Sequence, residues 1–333
     1  MFRWGVLSTA AIGIRCVIPQ IQDSINGVVT ALASRDETKA RQVAARFGIP
    51  HAFGSYEALL ESDLIDGVYI PLPTSEHVAW TLKAAEAGKH VLCEKPIALD
   101  AGEITRLIEA RERHGVLISE AFMVFYHPQW HTIRSLIAEG TIGRLRQVQG
   151  AFCYFNDDPA NMRNQPALGG GGIRDIGVYP LVTTRIATGA EPRRVQARID
   201  IDPVFGTDSY ASVTADFGDF ELSFYCATQM ALRQHMVFHG DTGFIEVAAP
   251  FNAGDYDHAR ITLNNRDHSQ AQILRFPDVR QYRLECEHFV RAARGEETPV
   301  FTLENSLGNQ RAIDAIFQAG AAGDWVAVEG TGA

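Results

Sequence analysis

Two short segments carry residue types able to bind a charged cofactor. In "VLSTAAIGIR" (residues 6–15), Ser8-Thr9-Ala10-Ala11-Ile12-Gly13 follows an apolar run that begins at Phe2. A turn between a strand and a helix binds pyrophosphate when its backbone can approach the ligand and the helix N-terminus offers unpaired N–H groups and a positive dipole end. That geometry demands small residues, and the three glycine positions of the usual G-x-G-x-x-G pattern are here Ser8, Ala10 and Gly13. Ser8 and Thr9 add hydroxyls that can donate to phosphate. A tightly packed turn with no ligand accounts for the segment equally well. Further on, "VVTALAS" ends in Ser34-Arg35. At this strand end a site selecting NAD presents an acid to the ribose 2′-hydroxyl, whereas one accepting a 2′-phosphate presents Arg or a small polar group. A guanidinium pairs with phosphate and stacks on adenine, so NADP is favoured over NAD. Asp36 and Glu37 come next and serve equally as caps of a following helix.

Other reactive residues read as structural. His127 and His131, and likewise His235 and His239, are spaced i,i+4. Pro128 directly follows the first pair's leading histidine, no Glu stands between either pair as a general base, and the second pair lies in a strand pattern, so no metal is expected. Phe122, Phe125, Tyr126 and Trp130 read as core and cleft wall. Arg163 in "NMRNQ" fits a substrate or cofactor contact and a surface salt bridge equally. Cys16, Cys93, Cys153, Cys226 and Cys286 lie far apart with no C-x-x-C pair, as expected of reduced thiols in a cytoplasmic protein.

The net charge of −10 comes from dispersed acids with no basic stripe, which argues against nucleic acid as a partner and against a membrane-surface helix. Arg15 interrupts the apolar N-terminus and periodic structure follows at once, so an export leader is not expected. A chain of 333 residues is long enough for two domains with full cores.

The elements that must position these residues are legible. "FRWGVLS", "GVVTALAS", "DGVYIPL", "KHVLCEK" and "GVLISEAF" read as strands buried on both faces, the mark of a parallel sheet. "DETKARQVAARFG" and "TSEHVAWTLKAAEAGK" between them show helical spacing, opened by Asp36 or Ser75 and closed by Gly48 or Gly88. Alternating strands and helices predict a doubly wound α/β sheet of the Rossmann type over residues 1–122. From about residue 144 the period changes to two in "RLRQVQGAFCYF", "RRVQARIDID", "SYASVTADF", "FELSFYCAT", "QHMVFHG" and "GFIEVAA". Residues 123–333 are therefore expected to form an α+β domain with a large, mostly antiparallel open sheet. Its helices are expected near 175–188, 280–293 and 303–320, and the last of them can return to the first domain.

"CEKPIAL" (residues 93–99) ends one of the predicted strands, where open α/β sheets place ligands. Together with "WGVLSTAAIG", "VYIPLPTSEH", "AGKHVLCEKP", "EAFMVFYHPQ" and "GGGGIRDIGVYP", it resembles the Gfo/Idh/MocA family of nicotinamide-dependent oxidoreductases. The closest likeness is to the branch of dimeric dihydrodiol dehydrogenase and NADP-dependent D-xylose 1-dehydrogenase. The likeness runs over nearly the whole chain, and that branch too uses Ser-Thr-Ala in the first turn. It implies that Ser8, Thr9, Ala10 and Ile12 bind the pyrophosphate and Ser34 and Arg35 the adenosine ribose phosphate. Pro71, Leu72, Pro73, Thr74 and His77 would line the cofactor, Glu94 would contact the nicotinamide ribose, and Lys95 would point to the substrate. Many members carry Asp-x-x-x-His after the glycine run; here Asp175 is followed by Tyr179, as in this branch.

Oxidising an alcohol requires removal of the hydroxyl proton as hydride leaves, and a phenol with pKa near 10 is a poor base at neutral pH. A nearby Lys95 ammonium favours phenolate. The resemblance thus implies Tyr179 as acid/base, Lys95 as its partner, and Asp175, one helical turn earlier, as a substrate or Lys95 contact. The run Gly169–Gly172 is expected to bring backbone close to the ligand. The implied activity is hydride transfer between NADP and a sugar or vicinal-diol hydroxyl or carbonyl. The alternatives are glycoside processing with a tightly held nicotinamide and a non-catalytic NADP-binding protein. In the second domain Ser212, Thr214, Ser223 and Tyr225 fall out of phase with apolar neighbours and are uncharged, so that sheet face is expected to meet a second copy in a homodimer.

Overall fold

The computed structural model describes residues 1–330. They form two compact units: Met1–Tyr126 together with Arg280–Leu307, and His127–Val279 together with the residues from Gly308 onward. In the first unit β1 (Phe2–Leu7), β2 (Gly27–Ala33), β3 (His51–Phe53), β4 (Gly67–Ile70), β5 (His90–Glu94) and β6 (Ile118–Ala121) make one parallel sheet. Its order is β3-β2-β1-β4-β5-β6. The strand order reverses direction between β1 and β4, so the crevice outside their carboxyl ends is where such a sheet receives a ligand. Val68, Tyr69 and Ile70 of β4 and Val91, Leu92 and Cys93 of β5 are wholly buried, as the unbroken apolar runs require.

The helices are α1 (Ile18–Gln22), α2 (Glu37–Phe47), α3 (Tyr56–Leu60), α4 (Thr74–Glu86) and α5 (Ala101–His114). Asp36 Oδ1 accepts the Lys39 N–H at 3.2 Å to cap α2, and Gly48 ends it at φ 65°. Ser75 does not open α4: the helix begins at Thr74 behind Pro73, whose fixed φ sets the entry without a side-chain cap. β3 and α3, three and five residues long, are too short to show a period and were not anticipated.

The second unit is built on β7 (Leu145–Phe155), β8 (Arg194–Ile201), β9 (Asp208–Asp216), β10 (Glu221–Ala227), β11 (Gln229–Gly240), β12 (Gly243–Val247), β13 (Arg260–Asn265) and β14 (Ala271–Arg275). With β15 (Val326–Ala327) they form a nine-stranded sheet in the order β14-β13-β12-β11-β7-β10-β9-β8-β15. Every pair is antiparallel except β7 with β10. α6 (Pro128–Ala138) and α7 (Val178–Thr188) pack on each other, and Pro180 of α7 seats on Gly150 of β7. Val213 and Ala215 on β9 and Leu222, Phe224 and Cys226 on β10 are buried. The alternate positions Ser212, Thr214, Ser223 and Tyr225 stay partly or fully exposed. The open face is not uniformly uncharged: β8 puts Arg198 opposite Ser212 and Arg194 opposite Asp216.

Residues 280–307 do not join the second domain as the 123–333 division has it. α8 (Gln281–Ala293) turns Cys286, Phe289 and Val290 into the core formed by Phe2, Trp4, Val6 and Ile18, with the Trp4 and Phe289 rings 5.0 Å apart. An apolar stripe on α8 found its cover on β1, which no local pattern announces. α9 (Leu303–Ala322) contributes its residues through Leu307 to the first unit. No helix among the described residues is long and apolar enough to cross a membrane.

Candidate active site

In the first unit the turn after β1 keeps the backbone of a glycine fingerprint although its first glycine is a serine. Ser8 stands at φ 121°, a region L-residues rarely adopt. It is held there by three bonds: its N–H donates to Ala33 O at 2.9 Å, its Oγ accepts from Ala10 N–H at 3.2 Å, and its hydroxyl reaches Pro71 O at 3.4 Å. Thr9, Ala10 and Ile12 are half-buried along this turn. Ser8 thus joins the ends of β1 and β4, the two strands that flank the crevice.

At the end of β2, Ser34 is buried and its Oγ accepts the Asp36 N–H at 3.2 Å. The Asp36 carboxylate turns into α2 as its cap, and Glu37 pairs with Arg41 one helical turn on. Arg35 is exposed, and its guanidinium stands near the Tyr56 phenol, where it opposes the upward push of burial on that hydroxyl. Both acids of this strand end are therefore engaged by α2, and an exposed cation stands beside them.

Pro71, Leu72 and Thr74 are buried and Pro73 half-buried, so this stretch offers mainly backbone. His77 does not present a ring nitrogen to a ligand. It is 1% exposed, with Nδ1 2.8 Å from Pro96 O and Nε2 2.7 Å from Leu72 O. Burial, chiefly, holds it below the ordinary histidine pKa. His77 clamps the turn after β4 to the turn after β5. The same Glu94-Lys95-Pro96 turn, cis at Lys95–Pro96, is fastened from β6, where Glu120 accepts the Ile97 N–H at 3.0 Å. Glu94 Oε1 accepts the Tyr69 hydroxyl at 2.6 Å. Burial first, then Glu94, keeps the Tyr69 phenol well above its ordinary pKa, so Tyr69 is the donor. Behind them Glu285 of α8 is 1% exposed, and its Oε1 has no hydrogen-bond partner among the described residues. Burial, and secondarily the Glu94 charge, raise its carboxyl well above the usual range.

In the second unit Asp175 is fastened from two sides. The Tyr154 hydroxyl of β7 and Arg163 Nε both donate to Asp175 Oδ2 at 2.7 Å. The Arg163 charge is thereby committed to Asp175 and lies within electrostatic reach of Tyr179. Tyr154 is raised by burial and then by Asp175, so it stays a protonated donor. Tyr179 is 5% exposed and packs between Phe152 at 5.5 Å and Phe251 at 5.4 Å, with Asp175 one turn before it. The glycine run lies close against the protein's own groups: a Cβ on Gly170 would strike Arg163 O, and one on Gly171, at φ 121°, would collide with Asp208 Oδ1. His127 caps α6, with Nδ1 accepting the Gln129 N–H at 3.2 Å.

Tyr69, Glu120, Tyr154, Asp208 and Glu285 were not singled out in the sequence. Glu120 and Glu285 carried a usable signal, an acid set in an apolar run or on an apolar helical stripe. Tyr154 and Asp208 carried none, because their partners lie on other elements.

A doubly wound sheet with a phosphate-type turn at its switch point, paired with a large open sheet bearing an Asp-Tyr helix, defines a two-domain nucleotide-dependent oxidoreductase. Residues 2–122 match the GFO/IDH/MocA oxidoreductase family, NAD-binding Rossmann fold, and residues 130–246 match the GFO/IDH/MocA C-terminal domain. The chain belongs to this family. It is 42% identical over 332 residues to an uncharacterized oxidoreductase of Rhizobium meliloti, covering 98% of this chain and 99% of that one. It is 35% identical over 326 residues to D-xylose 1-dehydrogenase (NADP(+)) 2 of Haloferax volcanii, covering 96% and 98%. A 3-ketoreductase from Actinomadura kijaniata, solved in complex with NADP and TDP-benzene, superposes with a TM-score of 0.90 at 28% identity over 96% of this chain and 97% of that one.

Proposed function

We infer that this oxidoreductase interconverts a hydroxyl and a carbonyl on a sugar or vicinal diol with NADP as its cofactor. The single observation that carries the cofactor reading is the end of β2, where Asp36 is drawn into the α2 cap and Arg35 is left facing outward. The small, hydroxyl-bearing turn Ser8–Ala10 and the NADP named for two of the relatives point the same way. Ser8, Thr9, Ala10 and Ile12 would hold the pyrophosphate, Ser34 and Arg35 the 2′-phosphate, and Glu94, oriented by Tyr69, the nicotinamide ribose. When bound, NADP supplies hydride acceptance or donation. Tyr179 holds the proton exchanged with the substrate oxygen, as base in oxidation and acid in reduction, and Lys95 favours its phenolate. Asp175, anchored by Tyr154 and Arg163, is a fixed carboxylate that receives a substrate hydroxyl. The open face of the second unit, uncharged at Ser212, Thr214, Ser223 and Tyr225, supports assembly as a homodimer.

The test is a panel of aldoses and trans-diols with NADP+, and of dicarbonyls with NADPH, followed at the NADPH absorbance. Tyr179→Phe should lower turnover on the best substrate by roughly 10²- to 10⁴-fold while NADPH binding is kept. Turnover near wild type in that variant would reject the acid–base role.

A further inference from the structure

The carboxylate of Asp208, on β9, lies inside the turn that launches the Asp175–Tyr179 segment. Its Oδ2 accepts the Ile173 N–H at 2.6 Å, and the Gly172 N–H bonds to the same carboxylate. Gly171 at φ 121° leaves room for Oδ1 where any Cβ would collide with it, and Gly172 packs against the Asp208 backbone carbonyl and Thr228. Asp208 is 4% exposed. An anion lodged among the first N–H groups of a helical segment is how such segments hold a phosphate, and here the chain supplies the anion itself.

We propose that Asp208 is a positioning residue for the acid–base chemistry: as a carboxylate it fixes the Gly171–Ile173 turn, and through it the placement of Asp175 and Tyr179. The proposal rests on the assignment of Tyr179 above. The titratable and charged groups facing Asp208 are Arg174, on the segment whose turn Asp208 binds, and the Cys226 thiol of β10, which also faces Asp175. Burial pushes the Asp208 carboxyl up to about 6, against the pull of the Ile173 and Gly172 N–H groups and the Arg174 charge. A proton taken up there replaces a charge-assisted bond to the turn by a neutral one. The acid limb of turnover therefore belongs to Asp208, which acts through the Gly171–Ile173 turn.

The experiment compares kcat, KM and NADPH affinity of wild type and Asp208→Asn from about pH 5 to 8. Asn keeps one acceptor for Ile173 and has no proton to gain. Wild-type kcat should fall about tenfold toward acid with a midpoint near 6, the size of exchanging a charged for a neutral hydrogen bond. Asp208→Asn should run flat at the lower level, with NADPH affinity within twofold of wild type. The proposal is overturned by an unchanged limb in Asp208→Asn, by the absence of any limb between pH 5 and 7 in wild type, or by a loss of NADPH affinity as large as the loss of kcat. The second result needs no variant to fold. The urea midpoint gives a readout independent of turnover: its pH slope should vanish in Asp208→Asn. A lost slope beside a fully active Tyr179→Phe would mean that the tyrosine assignment failed. A retained slope beside an inactive Tyr179→Phe would mean that Asp208 failed.

Discussion

Replacing Arg35 by alanine tests the cofactor assignment most directly, because the structure isolates its contribution. Ser34 is buried and bonded to Asp36, Asp36 caps α2 through Lys39, and Glu37 pairs with Arg41. The exposed cation at this strand end is the Arg35 guanidinium, beside acids already held by α2. A hydrogen bond to a charged group contributes about 1.5 to 3 kcal/mol, which is roughly 13- to 160-fold in Kd. Arg35→Ala should weaken NADPH by that factor and leave NADH, which lacks the 2′-phosphate, within about twofold. Arg35 is exposed, so the difference should shrink as salt is raised through the range where the Debye length falls below about 8 Å. Fluorescence titration of NADPH and NADH against wild type and variant reads this at two ionic strengths. Asp36→Asn is the control: if its carboxylate serves only the helix, NADH affinity is unchanged. Equal losses for both cofactors in Arg35→Ala, a wild-type preference for NADH, or a loss of NADH affinity in Asp36→Asn would refute the reasoning.

Tyr154→Phe removes a donor on Asp175 and leaves Arg163, so substrate turnover should fall about tenfold with NADPH affinity unchanged, as steady-state kinetics on the best substrate will read. Asp208 is held at about 6 against an ordinary 3.8, so between those values the folded chain keeps a proton that the unfolded chain releases. Stability from this group is thus present below about pH 4 and lost as pH rises through 6, by about 3 kcal/mol in all, and urea midpoints of wild type against Asp208→Asn should show that slope disappear. The open sheet face predicts a sedimenting species of twice the 36.6 kDa chain mass at micromolar concentration, and a species at the single-chain mass would remove the dimer.

Residue types and short spacings were enough to locate most strands, the helix caps at Asp36 and Gly48 and the small-residue turn at Ser8–Gly13, whereas Asp175 and Tyr179 entered only through the family resemblance. Each of the former is a local matter: a cap or a period is written within a few residues of where it acts. What tertiary structure decided lies across long separations. Asp208 meets Ile173 over 35 residues, and Glu287 meets Ile25 over 262. Gly171 illustrates the division. Four consecutive glycines announce a tight turn, but not whether a ligand or the chain itself fills the space, and it is the register of β9 that brings Asp208 there. His77 is another case, since helical spacing makes it a residue of α4 while only the folding of two turns toward it sets a carbonyl oxygen against each ring nitrogen. Likewise the apolar stripe of α8 requires a cover without naming it, and β1 supplied one. Burial energy depends on how much apolar surface is covered and hardly at all on which element covers it. The partner is therefore chosen by the whole fold and cannot be read from the helix alone.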